Sequence, residues 1–232
     1  MSETPSTVFL FDVDNTLLDN DQVQDDLDRH VADVFGAAAA KKYWEIYENL
    51  REKLGYADYL GAIQQFRLEC DDELRAQDLA AFLLDYDFAA RLYPGALDAI
   101  AHLAQFGPCA VLSDGDVVLQ PRKINVSGIA DAVQGRVLIY VHKERMLDDV
   151  AKRFPARHYV MVEDKLRVLD GMKRQWRERL TTVFVRQGHY ASDPVALKEY
   201  PPAQMALDGI GALAGLSLDA FLSPLQPATA TE

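Results

Sequence analysis

The sequence predicts an α/β fold: a parallel five-stranded sheet covered by helices, with a block of α-helices inserted after the first strand. Three observations point there. From about residue 91 to 190, short apolar runs alternate with amphipathic helical stretches, the pattern of a parallel sheet with helical crossovers. From about 21 to 90 the chain reads as helix after helix, with no strand between. The first apolar run, Val8-Phe9-Leu10-Phe11, stops abruptly at two carboxylates, Asp12 and Asp14.

A run apolar at every position is a strand buried on both faces, so the first strand is expected over about 7–13. Val23, Leu27, Val31 and Val34 then recur at helical spacing, with Gly36 as the stop. A second helix covers Ala37 to Leu54, and Gly55 suits the position after its end. A third carries Tyr59, Ile63 and Phe66. A fourth carries Leu74, Leu79, Phe82 and Leu83, with Asp71 or Asp72 as its N-cap. Four amphipathic helices with short joints make a small bundle.

Tyr93-Pro94-Gly95 marks the return, with Pro94 in the first turn of a helix running to about Phe106. The second strand is Cys109 to Leu112, ending at Ser113-Asp114-Gly115-Asp116, and a helical stretch reaches about Ser127. The third strand is 136–141, ending at His142-Lys143, with a helix from about Lys143 to Phe154. The fourth is 159–162, ending at Glu163-Asp164-Lys165, with a helix over 166–179. The fifth is 181–185. The Pro-, Ala- and Gly-rich tail is expected to hold one short helix near 203–214 and a frayed end. The expected division is therefore 1–19 and 91–232 for the sheet core and 20–90 for the helical insertion.

Composition narrows the function. The 232 residues are 49% apolar, enough for a sizeable core. A net charge of -12 argues against a nucleic-acid binder. It leaves room for an anionic substrate, because a bound divalent cation inverts the local field. Cys70 and Cys109 lie in no metal or redox spacing, and the first residues resemble no targeting segment; a cytoplasmic protein is expected. No apolar run approaches a membrane span.

Several features have plain readings. Tyr43, Trp44 and Tyr47 are expected in the bundle core, and Asp25, Asp26 and Asp28 on an exposed acidic face. Arg51, Lys53 and Arg67 read as solvated, as does the basic helix face of Lys173, Arg174, Arg177 and Arg179. His142, His158 and His189 have no metal-site spacing.

Four strands end in chemically capable residues: Asp12 and Asp14, Ser113, Lys143, and Glu163 with Asp164. Ligands of open α/β sheets bind outside the carboxyl ends of the strands, so one sheet edge would gather all four. In this respect the chain resembles the haloacid dehalogenase superfamily, whose members are mostly Mg2+-dependent phosphatases. Phe11-Asp12-Val13-Asp14-Asn15-Thr16 resembles its first motif, Ser113 its second, Lys143 its third and Glu163-Asp164 its fourth. The helical insertion resembles the family's type C1 cap, and the core is implied to be Rossmann-like, with three layers. Two departures stand out. The fourth motif's further acid is replaced by Val168, with Asp170 next, and no proline follows Lys143, so Lys165 is a rival for the third motif.

The resemblance implies a role for each residue. Asp12 is the nucleophile that forms an aspartyl-phosphate. Asp14 is general acid, then general base; the haloacid dehalogenases of the superfamily lack this second Asp. Asp12, the Asp14 carbonyl, Asp164 and Glu163, the last directly or through water, hold Mg2+. Ser113 donates to a phosphoryl oxygen, Asp114 lies beside it at the substrate, Lys143 pairs with Asp12 and the phosphoryl group, and Thr16 fixes the loop by hydrogen bonding. The implied activity is hydrolysis of a small phosphorylated metabolite, with no nucleic-acid or membrane partner. Phosphomutase or phosphotransferase chemistry, or a catalytically silent interaction protein, are the alternatives.

Overall fold

β1 (Thr7–Phe11) runs through the middle of the sheet with every residue buried, between β2 (Cys109–Asp114) and β4 (His158–Glu163). The computed structural model describes residues 5–69 and 73–222. All strands are parallel, in the order β3-β2-β1-β4-β5-β6, where β3 is Val137–Tyr140, β5 Leu180–Val185 and β6 Met205–Leu207.

Six strands stand where five were expected. β6 adds to the edge of β5 through Val183 opposite Met205 and Val185 opposite Leu207. It falls inside the stretch expected to be helical. The helix there is a 3-10 segment, Ile210–Gly215, flanked and interrupted by Gly209, Gly211 and Gly215, which disfavour an α-helix.

Alternation along the strands builds the three layers. Phe9, Phe11, Val111, Val160, Val162 and Val183 face one side, Val8, Leu10, Leu112, Tyr159 and Met161 the other. The first side packs on α5 (Ala96–Leu103), α6 (Leu119–Val126), α7 (Ile129–Ala132) and, at the far end, α11 (Leu218–Leu222). The second packs on α8 (Leu147–Arg153) and α9 (Leu166–Trp176), where Trp176 stacks on Tyr159. α10 (Pro194–Glu199) was not anticipated, although Asp193 caps it and Pro194 opens it as helix-start chemistry requires.

Between β1 and α5 the four helices are α1 (Asn20–Phe35), α2 (Ala37–Leu54), α3 (Tyr59–Arg67) and α4 (Glu73–Leu84). Asp19 and Asp58 cap α1 and α3, accepting from Gln22 N and Gly61 N at 3.0 and 2.7 Å. Cys70 and the N-cap expected at Asp71 or Asp72 lie outside the described residues, as do the start of the leader and the tail beyond 222. Tyr43 and Tyr47 are buried in the bundle as expected. Asp26 departs from the acidic-face reading: it accepts from Arg91 Nη2 at 2.8 Å and from Tyr86, tying α1 to the return segment.

Two helix starts also differ. α5 begins at Ala96, after Gly95 in the left-handed region (φ 78°), so Pro94 precedes the helix rather than opening it. Lys143 lies in a 3-10 turn, Lys143–Arg145, ahead of α8.

Candidate active site

The site forms where β1, β2, β3 and β4 end, beside the switch in strand order between β1 and β4. Asp12 is the first residue past β1 and remains tied to the sheet, its N–H donating to Val162 O at 3.0 Å. The chain then curls back: the N–H groups of Thr16, Leu17 and Leu18 all converge on the Val13 carbonyl. Asn15 takes the left-handed conformation (φ 61°), and its Oδ1 accepts from the N–H groups of Asn20 and Asp21. The loop is thus fixed by backbone bonds and by Asn15. Thr16 does not do it through its hydroxyl, which is buried without a partner; its carbonyl accepts from Gln187 Nε2 at 3.0 Å.

Asp12, Glu163 and Asp164 are all buried, and their ligand oxygens lie within 4.8 Å of one another. Among the described residues this is the one such acidic cluster. Asp12 Oδ2 and both Asp164 oxygens have no hydrogen-bond partner. Buried oxygens without partners carry a desolvation penalty that a cation would relieve. An all-oxygen donor set suits Mg2+. The cluster therefore fits a divalent metal.

Lys143 supplies the local positive charge. It pairs with Asp12 Oδ1, and its Nζ lies 2.6 Å from Glu163 Oε2. Its backbone N–H donates to Asp114 Oδ1 at 2.7 Å, so Asp114 holds the end of β3 to the end of β2. Lys165, the rival lysine, lies instead over the Tyr190 ring, 4.6 Å from its centroid.

The crowding of charge shifts the acids. Burial, reinforced by Glu163, raises the Asp12 carboxyl to about 6 against the pull of Lys143 and Lys165. Burial raises Asp114 to about 6 as well. Burial would raise Glu163 too, but the neighbouring Lys143 and then Lys165 bring it down to about 2. Asp164 is pushed well above the carboxylate range, first by burial and then, with Lys165 opposing, by Glu163.

Ser113 is buried at the end of β2, where its Oγ accepts from Gln120 Nε2 at 3.0 Å. Asp14 points into a cavity of about 370 Å³ between the helical segment and the strand ends. Lys123 Nζ contacts its Oδ1 at 2.6 Å, and Gln120 Nε2 lies 3.4 Å from its Oδ2. Neither Gln120 nor Lys123 was anticipated. Their one trace in the sequence is that two polar residues occupy the face of α6 that also carries Leu119 and Ile124. Arg51, expected to be solvated, reaches across the cavity mouth to donate to Tyr190 Oη at 2.8 Å.

The family model for haloacid dehalogenase-like hydrolases matches residues 7–174, and the chain belongs to that family. A haloacid dehalogenase-like hydrolase of Burkholderia xenovorans LB400 is 58% identical over 92% of this chain and 99% of its own, with a TM-score of 0.88. The L-2-haloacid dehalogenase of Xanthobacter autotrophicus shares the fold at 19% identity, covering 90% and 97%, with a TM-score of 0.59. A HAD-family hydrolase of Bacillus subtilis, solved bound to magnesium, does so at 18% identity over 92% and 98%, with a TM-score of 0.60. No curated protein sequence matches. Among the described residues no helix is long and apolar enough to cross a membrane.

Proposed function

We propose that this hydrolase is a Mg2+-dependent phosphomonoesterase acting on a small phosphorylated metabolite, with Asp12 as nucleophile. The observation that carries the reading is the pair of unlike carboxylates: Asp12 buried against Lys143 and the acidic cluster, Asp14 at the cavity wall. Displacement at phosphorus with a poor leaving group needs a second, separate proton carrier. Displacement of a halide does not, because a halide leaves without a proton.

In this reading Asp12 attacks phosphorus, the bond to the leaving oxygen breaks, and Asp14 gives that oxygen its proton. Water then attacks the aspartyl-phosphate, Asp14 takes its proton, and inorganic phosphate leaves with Asp12 regenerated. Lys143 keeps Asp12 ionised by proximity and offers a positive charge to the transferred group. Asp12, Glu163, Asp164 and the Asp14 carbonyl would hold Mg2+, which neutralises phosphoryl charge when bound. Ser113 and Asp114 border the transferred group, and the helices α1 to α4 act as a cap that selects the substrate from across the cavity. We place the protein in the cytoplasm, with a small-molecule substrate as its partner.

The test is phosphate release from 4-nitrophenyl phosphate with and without Mg2+. Wild type is expected to turn over only with the metal, and Asp12→Asn to be inactive. Halide release from a 2-haloacid, with no phosphate release from a broad panel of monoesters, would overturn the reading.

A further inference from the structure

Lys123 is the second lysine buried at this site, yet it touches none of the residues of the acidic cluster. It comes from α6, on the core side of the cavity, and is 1% exposed. A lysine so buried is rare unless its ammonium is paired. Its partners are Asp14 Oδ1 at 2.6 Å and Asn20 Oδ1 at 2.9 Å, with the Phe88 ring centroid 5.8 Å away. Asn20 opens α1, and its Nδ2 donates to Tyr59 Oη at 3.0 Å. One ammonium therefore joins the core helix α6, the loop after β1 and the root of the helical segment.

We infer that Lys123 is the positioning residue for Asp14. This rests on the reading of Asp14 as the acid and base of a phosphomonoesterase. Asp14 lies in the tight loop after β1 and is partly exposed, so without a restraint its carboxyl would swing among rotamers. Lys123 engages Oδ1, which leaves Oδ2 as the oxygen that carries the proton. Gln120, which also grips Ser113, lies on the Oδ2 side at 3.4 Å, too long to compete strongly for it. In the first step the proton on Oδ2 passes to the leaving oxygen as the phosphorus–oxygen bond breaks. In the second, Oδ2 takes a proton from the attacking water. Lys123 touches no reacting atom.

A positioning role has a signature that a packing role lacks. Proton donation matters more as the leaving oxygen becomes more basic, and well-placed acid–base groups contribute roughly 10²–10⁴-fold. Phenyl phosphate and 4-nitrophenyl phosphate are close in shape and differ in leaving-group basicity. The test compares kcat/KM for both, with saturating Mg2+, in wild type, Asp14→Asn, Lys123→Met and the double variant. Lys123→Met is expected to lose about tenfold more on phenyl phosphate than on 4-nitrophenyl phosphate. Asp14→Asn should show the same bias, and the double variant should be no worse than Asp14→Asn, as for residues acting as one unit.

Should Lys123→Met not fold, Asn20→Asp serves in its place. It keeps the side-chain shape and sets a second carboxylate in competition for the ammonium, so it is expected to show the same bias in milder form. Equal losses on the two substrates in Lys123→Met, beside a clear bias in Asp14→Asn, would overturn the assignment of Lys123 alone. So would an unbiased Asn20→Asp. An unbiased Asp14→Asn, or no phosphate release by wild type, would overturn the acid–base reading and this inference with it.

Discussion

Lys143 Nζ lies 2.6 Å from Glu163 Oε2 while also pairing with Asp12, so one buried ammonium clamps the ends of β1 and β4 from the end of β3. Two strand ends that would otherwise present bare carboxylates to each other are bridged by its charge. Removing one partner of a buried ion pair costs about 3–5 kcal/mol, because the remaining charge is left uncompensated. Lys143→Met is expected to lose stability on that scale in urea denaturation without metal. Added Mg2+ should recover part of the loss, since a second cation can answer the same carboxylates. A loss unaffected by Mg2+ would separate the lysine from the acidic cluster.

Asp164 gives a prediction of opposite sign. Its two oxygens are buried without partners, and its carboxyl favours the protonated form. An amide of the same shape imitates that form. Asp164→Asn should therefore leave the metal-free protein at least as stable at neutral pH, yet abolish its response to Mg2+. In wild type, a metal binding only the folded state adds about 2.7 kcal/mol at a hundred times its Kd. Thermal melts over a Mg2+ titration check both halves. Unchanged stabilisation of the variant by Mg2+ would remove Asp164 from the metal set.

The pH dependence follows from Asp12. Its folded pKa is raised from 3.8 to about 6, with burial as the leading cause and Glu163 next. Between those values the folded state holds a proton that the unfolded state has lost. The contribution of Asp12 to stability is thus fully present below about pH 4 and lost as pH rises through 6. Glu163 has the opposite sign: its pKa is lowered from 4.5 to about 2, so its contribution is gained between those values and stays constant above. The difference in Tm between metal-free wild type and Asp12→Asn should therefore fall from pH 4 to pH 6.5. Saturating Mg2+ should reverse the trend, because metal binds the ionised carboxylates. A flat difference would show that burial does not govern Asp12.

The parts legible from sequence are those decided by local chemistry. β1 reads as a strand because Val8 to Phe11 form an unbroken apolar run, and its end is marked by Asp12 and Asp14. The limits of α2 follow from Gly36 and Gly55, both with positive φ. Lys143 was marked by its place at a strand end, but its pairing with Glu163 depends on the parallel order of β3, β2, β1 and β4. β6 escaped because three residues, Met-Ala-Leu, only partly buried at an edge, have no pattern apart from the strand they join. Lys123 and Gln120 escaped for a related reason. A polar residue on a helix reads as solvated until the fold brings a carboxylate to it, and Asp14 arrives from the far end of the chain.

Gly188 supports the loop of Asn15 from below. Its φ of 68° already disfavours a side chain, and a Cβ placed there would lie 2.5 Å from the Cβ and Cγ of Asn15. Asn15 cannot give way freely, because its amide bonds Asn20 N, Asp21 N and the Asp21 carboxylate. Those bonds fix the root of α1. The conformational part of Gly188→Ala costs about 1 kcal/mol, and the collision adds to it, for a total loss of about 2–3 kcal/mol. The two parts separate by substitution. Gly188→Asn tolerates the left-handed backbone but keeps the collision, so it should be nearly as damaging. In an Asn15→Gly background, where the opposing side chain is gone and positive φ is still accepted, Gly188→Ala should cost only the conformational part. Urea denaturation of wild type and the four variants measures the difference. An equal cost in both backgrounds would mean that the contact with Asn15 contributes nothing and that backbone strain at Gly188 is the whole effect.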